Sequence, residues 1–475
     1  MTSTLDPPAV RRGDTRPGHT GPGHTGGPDV GRSGPWLTRV LRPTGVNLPA
    51  HWPFTALVAF FPVWWALGIG SFAVILFAIP MAMQLRRMPR VRVPRGFGLW
   101  LCFLLAVIVS GLMLGRTAPD TLPHGAASQL IAFTLRWLNY AAAAVLALYV
   151  INTRGRGLTD RRIVGCLMVL FTVTVAGGLL GLLAPGFNFT SPVESLLPHG
   201  LRSNAYVRVL VHPGAAQNQD VLGFTAPRPK APFEYTNTWG NVLGLLLIWL
   251  AVWAVLARFR GRVVAVALLV VSLVPIVQSL NRGLWVGIGF ALLFLAARLA
   301  MSGRVATVIG LAAVASTLAV VFLASPLATV VQERLAHGHS NDIRSNLANA
   351  AIKGTKESPI VGWGTTREVI GSSQSIAVGS SASCNSCGNA DIGSTGQFWL
   401  TVFAQGFLGV SLYIGFFLAV LWFYRGQHTA IGMGAQATIL VSMWFMFVYS
   451  ATSWPLALQM ISVGLLWRQK HPETA

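Results

Sequence analysis

Charge is scarce in this sequence. Only 10% of its 475 residues are Asp, Glu, Lys or Arg, and Asp and Glu together number 14. Soluble domains carry about a quarter, so most of this chain has no ordinary water-facing surface. Four cysteines are too few for a disulfide-rich secreted scaffold. The phosphate-cradling P-loop, the HExxH zinc motif, the GxSxG elbow and the dinucleotide fingerprint are all missing. Nothing in the chain therefore points to ATP-driven transport on its own.

Apolar runs fill the space that charge leaves. Hydrophobic residues make up 53% of the chain. Runs fall at about 52–67, 69–85, 96–114, 126–151, 162–183, 237–257, 263–279, 283–300, 305–324, 398–424, 431–450 and 454–467. Lipid admits backbone only as helix or closed barrel. The expectation is an all-α, polytopic helical bundle over 51–468 with about twelve transmembrane helices. The first two and last two runs are closely joined, as in hairpins of tilted helices. Residues 1–50 are rich in Gly, Pro, His and Arg, with a GHTGPGHTGG near-repeat. They read as a disordered basic tail, too polar for a signal peptide. Residues 469–475 form a short second tail.

The net charge of +21 does not imply nucleic acid, because the arginines form no single basic patch. They alternate between loops. One set of loops carries Arg86, Arg87, Arg90, Arg92 and Arg95, then Arg154, Arg156, Arg161 and Arg162, then Arg258, Arg260 and Arg262, then Arg298, Arg304 and Arg425. The short loops of the opposite set carry only Arg116 and Arg282. The positive-inside rule then puts both termini in the cytoplasm. Two long polar loops, about 184–236 and 325–397, fall outside it. The second predicts a helix capped by Asn341 or Asp342, with Ile343, Leu347, Ala350, Ala351 and Gly354 on one face. Pro359 follows its stop, and Gly362-Trp363-Gly364 reads as a turn.

Several polar residues stand out against this background. Arg282, with Ser279 and Asn281, lies between two apolar runs on the side where arginine is disfavoured. It reads either as a snorkelling side chain on headgroups or as an anion site that grips phosphate with paired hydrogen bonds. Arg344 opens the loop helix and reads as a solvated charge or a second anion ligand. Arg202, Arg208, Arg228, Lys230, Lys353, Lys356 and Arg367 add positive charge to the two long loops. Arg136 lies inside an apolar run, with Asn139 and Tyr140 on its face, as a cavity lining or a structural polar cluster. Asn237 and Asn241 share a face where a helix starts, as caps and anchors or as ligands. Cys102 and Cys166 fall in apolar runs as core residues. Cys384 and Cys387 form CxxC in the second long loop, where a disulfide is permitted. A zinc site there would need His337 and His339 as well.

The order of these pieces resembles the O-antigen ligase/polymerase superfamily of GT-C-type membrane glycosyltransferases. The stretches that carry it are Tyr235–Leu246 (YTNTWGNVLGLL), Ser279–Phe290 (SLNRGLWVGIGF), Arg344 followed by Pro359-Ile360-Val361-Gly362-Trp363-Gly364, and Gly396–Gly409 (GQFWLTVFAQGFLG). The match covers about 230–425. The resemblance implies a bacterial plasma-membrane enzyme with an extracytoplasmic active face and no metal or other cofactor. Its donor would be a polyprenyl-pyrophosphate-linked glycan, and its acceptor a hydroxyl on a glycan or another molecule. Arg282 and Arg344 would by resemblance bind the pyrophosphate; Arg136, Asn237, Asn241, Ser279 and Asn281 are substrate-binding candidates from their positions alone. Many relatives carry a histidine before the re-entering helix as general base. Here the segment is Asp391-Ile392-Gly393-Ser394-Thr395-Gly396-Gln397, so Asp391, His337 or His339 would substitute, or no base is used. The competing readings are a transporter or flippase for lipid-linked glycans, to which the Arg136 cluster belongs, and a receptor-like scaffold.

Overall fold

The computed structural model describes residues 49–123, 125–220, 225–301, 339–369 and 391–472, with isolated positions between 303 and 316. The N-terminal tail, nearly all of the 305–324 run, His337, Cys384 and Cys387 lie outside the described residues. What is described is mostly helix. The first apolar run splits into α1 (Trp52–Ala59) and α2 (Phe61–Leu67), each with proline in its first turn. Pro62 has no amide hydrogen to continue the preceding helix, so the chain restarts at Phe60. Next come α3 (Ala73–Arg86), α4 (Phe97–Ser110), α5 (Ala126–Asn152) and α6 (Asp160–Leu183).

The segment expected as a plain loop, 184–236, is built. It holds α7 (Pro192–Leu196), α8 (His199–Arg202), α9 (Ala205–Val211) and an antiparallel pair, β1 (Ala216–Asp220) with β2 (Thr225–Pro229). Ser191 caps α7 by accepting from the Glu194 amide at 3.1 Å, and Asn204 caps α9 by accepting from Val207 at 3.1 Å. Helices this short show no legible apolar period. Then follow α10 (Thr236–Leu256), α11 (Phe259–Gln278), α12 (Arg282–Met301), α13 (His339–Glu357), β3 (Arg367–Glu368) paired with β4 (Asp391–Ile392), α14 (Gln397–Phe423), α15 (Ala430–Phe445) and α16 (Trp454–Lys470). The loop helix α13 starts at His339, so Asn341 and Asp342 lie inside its first turn and are not its caps.

Among the described residues six helices are long and apolar enough to cross a membrane: α6, α10, α11, α12, α14 and most of α5. Three shorter apolar segments, 70–86, 97–113 and 430–445, accompany them. Burial supports the same reading. The face of α11 carrying Val263, Val266, Val270 and Val274 is exposed, as a lipid-facing surface would be. The protein is therefore a helical membrane protein. Cys102 is exposed rather than in the core, because α4 buries Phe97, Trp100, Phe103 and Val107 on its other side. Cys166 is buried.

The centre of the bundle is α16, whose residues from Trp454 to Arg468 are all buried. It packs on α5, α10 and α15. Arg468 lies in its last turn, donating from Nε to Val150 at 2.6 Å and from Nη1 to Leu158 at 2.7 Å and Asp160 Oδ1 at 2.9 Å.

Helix α14 is broken at Gly406, which takes φ 66°, ψ −171°. A break within an apolar bundle frees backbone groups that lipid cannot satisfy. Here the Pro359–Gly364 turn satisfies them. Trp363 and Gly364 donate to the carbonyls of Phe403 and Ala404 at 3.0 and 2.8 Å, and Phe407 donates to Pro359 at 2.7 Å. Leu347 and Ala351 of α13 are buried in a small cluster with Trp363 and Phe403, and Thr355 Oγ1 donates to Val402 at 3.1 Å.

A Cβ at 406 would meet the Pro359 oxygen at 2.5 Å, on a backbone with positive φ. Gly406→Ala should destabilise by about 2–4 kcal/mol. Gly98→Ala, in α4 with nothing within 4 Å, should be neutral or stabilising. Thermal unfolding in detergent, followed by tryptophan fluorescence, reads both. Equal melting temperatures for the two variants would contradict the docked-kink account.

Candidate functional site

Between α15 and α16 the chain is unwound over 446–453. Stopping a helix leaves its last carbonyls without partners. In apolar surroundings each orphan costs a few kcal/mol. Here five successive carbonyls are each taken by a donor from another element. Met446 accepts from the Phe398 amide at 2.8 Å, and Phe447 from Trp399 Nε1 at 3.0 Å. Val448 accepts from Arg344 Nη1 at 3.0 Å. Tyr449 accepts from the Gln397 amide at 2.8 Å, and Ser450 from Asn241 Nδ2 at 3.2 Å. The Gln397 side chain completes the set. Its Oε1 accepts from the Ala451 amide at 3.1 Å, and its Nε2 donates to Tyr140 Oη at 2.8 Å and Thr401 Oγ1 at 3.0 Å.

The Tyr449 hydroxyl donates to Asn281 Oδ1. This ties the turn to the start of α12. Leu280, just before, is buried and takes a left-handed φ of 53°, a costly conformation for a bulky residue. It turns the chain so that Asn281 points at Tyr449 and Arg282 opens the helix. Gly283 permits the approach, since a Cβ there would lie 2.7 Å from the Tyr449 oxygen.

Arg282 and Arg344 lie within electrostatic reach of one another here. Both are half-buried. Burial lowers the Arg344 guanidinium from its ordinary value, the Tyr449 phenol opposes that, and the charge of Arg282 adds to it. The two arginines come from different helices, and the charge of one is felt at the other. Arg344 is oriented by Nη1, which also donates to Thr395 at 3.3 Å. Its Nε and Nη2 make no hydrogen bond among the described residues, so they stay available for an anion. Arg228 approaches the same tyrosine but is buried and committed, through Nε to the Ser279 carbonyl at 2.6 Å and through Nη1 to Gln219.

A second group surrounds Arg136. Its Nη1 donates to Thr365 Oγ1 at 2.7 Å. Buried Arg367 lies alongside, donating through Nη2 to the carbonyls of Trp363 at 3.0 Å and Leu114 at 3.2 Å. Burial, helped by the charge of Arg136, pushes the Arg367 guanidinium down to about 10. Tyr235 lies within electrostatic reach of Glu234 and Asp391. Burial raises the Tyr235 phenol, and Glu234, Tyr206 and Asp391 raise it further. Glu234 accepts from Thr238 Oγ1 at 3.2 Å and Ser71 Oγ at 3.4 Å. Burial raises its carboxyl, while those bonds and Lys230 pull the other way. Burial lowers Lys230.

The sequence-predicted residues thus fall into three sets. Arg282, Arg344 and Asn281 are brought together around Tyr449. Asn241 serves the turn through Ser450. Asp391 lies at the Tyr235 side, and Arg136 beside Thr365. The Ser279 hydroxyl donates to the Ile276 carbonyl of its own helix at 2.8 Å, and the residue is fully buried. Asn237 is half-buried, with no side-chain hydrogen bond among the described residues. Of the expected polar face on α5, Asn139 turns back to the Leu135 carbonyl at 2.9 Å. Sequence reasoning missed Tyr449 and Gln397. The signal for both was a polar residue at the edge of an apolar run.

Gln397→Leu leaves the Ala451 amide without its acceptor and should destabilise by about 2–4 kcal/mol, read as a lowered melting temperature. An unchanged melting temperature would remove Gln397 from this account. Glu234 gives a pH test. A carboxyl raised in the folded state contributes stability that is complete below its ordinary value of 4.5 and is lost as pH rises through the folded value. Glu234→Gln keeps the neutral form. It should therefore melt above wild type at pH 8, with the gap closing toward pH 5. A gap that widens as pH falls would contradict the burial argument.

No family model matches this chain, and none of the curated proteins matches it.

Proposed function

We propose that the protein is a membrane glycosyltransferase that takes a glycan from a polyprenyl-pyrophosphate carrier. The single observation that carries the proposal is that Arg344, which donates to the Val448 carbonyl beside Tyr449, lies within electrostatic reach of Arg282, which follows the Asn281 that Tyr449 bonds. Two mutually repelling guanidiniums held near each other favour a doubly charged anion between them. Pyrophosphate is such a group, and its lipid tail suits a bundle with exposed apolar faces.

In the proposed reaction the acceptor hydroxyl oxygen bonds to the anomeric carbon. The bond from that carbon to the pyrophosphate oxygen breaks, and its electron pair leaves with the pyrophosphate. Charge grows on the leaving group, where pre-oriented cations are most effective. The hydroxyl proton passes to a carboxylate, and we assign this to Asp391, in the place where relatives of the resembled family carry histidine. We further propose twelve membrane spans with both termini cytoplasmic and the Arg282 end extracytoplasmic, in a bacterial plasma membrane. Polymerase and ligase variants share this chemistry and differ in acceptor.

The flippase reading draws on Arg136. Its bond to Thr365 and its place beside Arg367 tie it to the segment after α13. That placement favours a binding site at the end of the bundle over a path through it.

Purified protein in lipid nanodiscs, given a polyprenyl-pyrophosphate oligosaccharide and an acceptor glycan, should release polyprenyl pyrophosphate. Arg282→Ala and Arg344→Ala should each lower kcat by about 10²–10³-fold with folding retained by melting temperature. Asp391→Asn should lower it by about 10²–10⁴-fold. Full turnover in both arginine variants would reject the proposed roles. Vesicle translocation without release of the pyrophosphate would favour the flippase.

A further inference from the structure

The helices α7, α8 and α9 enclose a cleft of about 450 Å³ that the proposed transfer does not use. Its lining includes Glu194, His199, Arg202, Arg208 and His212. The one carboxylate among these is already engaged: Glu194 is buried, and its Oε2 lies 2.7 Å from His212 Nδ1. Arg202 and Arg208 are exposed into the cleft and make no hydrogen bond or ion pair among the described residues. The cleft therefore offers two guanidiniums with their donors unspent and no competing anion of its own. Its volume is that of a small-molecule site.

Its surroundings are apolar. The span α6 ends at Leu183, which is 84% exposed, and Leu196 at the end of α7 is 83% exposed. Phe187 and Leu201 are exposed as well. Leucines so open to water, on short helices that follow directly from a membrane span, belong at the boundary between headgroups and acyl chains. Arginines at that level meet lipid phosphates.

We propose that this cleft binds the phosphate of an anionic phospholipid headgroup. Arg202 and Arg208 grip the phosphate oxygens, while Leu196 and Leu201 sit among the acyl chains. Helix α9 carries Arg208 at the cleft, and its Tyr206 lies within electrostatic reach of Arg136 and Glu234. A bound headgroup thus steadies the element that flanks the Arg136 group.

The test is native mass spectrometry of the full chain in detergent, titrated with phosphatidylglycerol or phosphatidylcholine. Wild type should prefer phosphatidylglycerol by about tenfold or more, the scale of one or two charge-assisted contacts. The double variant Arg202→Gln/Arg208→Gln should lose that preference with an unchanged melting temperature, since both side chains are exposed. Arg202→Lys/Arg208→Lys should keep part of it, and Leu196→Ser should weaken both lipids. An undiminished preference in the glutamine double variant would overturn the proposal. So would inorganic phosphate competing as tightly as the lipid, because the anion would then be recognised without acyl chains. The readout is lipid binding, so it is decided separately from glycan transfer.

Discussion

The unwound turn at 446–453 sits where an apolar helix stops and the central helix begins, and its backbone has nowhere to go but to other protein atoms. Five carbonyls in a row find donors on three different elements, α10, α13 and α14. That demand explains residue types that would otherwise be costly inside a membrane protein: an amide at 397, another at 241, and a guanidinium at 344. The same rule governs the kink at Gly406, where the Pro359–Gly364 turn supplies what the helix gave up. The kink is healed by a turn outside the apolar helices, while the 446–453 turn draws on α10 and α14 and, through Arg344, on α13.

The electrostatic consequence is an accumulation of positive charge with few acids to balance it. The charge of Arg282 is felt at Arg344 near Tyr449, and that of Arg136 at Arg367. Like charges at partly buried positions are a standing cost in the empty protein. A diphosphate bound there, as proposed, would turn that cost into attraction, most strongly as negative charge develops on a departing phosphate. Rigidity matters as much as charge. The bonds from Arg344 to Val448 and Thr395 hold its plane in place before any ligand arrives, and this makes a cation effective in catalysis.

How much of this the sequence discloses depends on the length of the pattern. Runs of fifteen or more apolar residues mark α5, α6, α10, α11, α12 and α14 by composition alone, and a charge out of place marks Arg282. The α7–α9 helices do not show, because four to seven residues carry too little period and their caps, Ser191 and Asn204, are ordinary loop residues. Tyr449 and Gln397 read as end-of-helix polar residues. Only the fold reveals that one lies across the membrane domain from Asn281 in sequence yet bonds to it, and that the other touches three elements at once. Ser279 shows what local sequence hides: a serine beside a candidate arginine looks like a ligand, while its hydroxyl is spent on its own helix.

Glycan transfer, as proposed here, rests on the diphosphate lying between two guanidiniums. The most direct measurement is a cryo-electron microscopy structure of the full chain in nanodiscs with polyprenyl pyrophosphate bound. The account predicts diphosphate density within hydrogen-bond distance of both Arg282 and Arg344, next to an intact Tyr449–Asn281 bond. Diphosphate density elsewhere on the protein, with those two side chains contacting only protein and lipid, would contradict it.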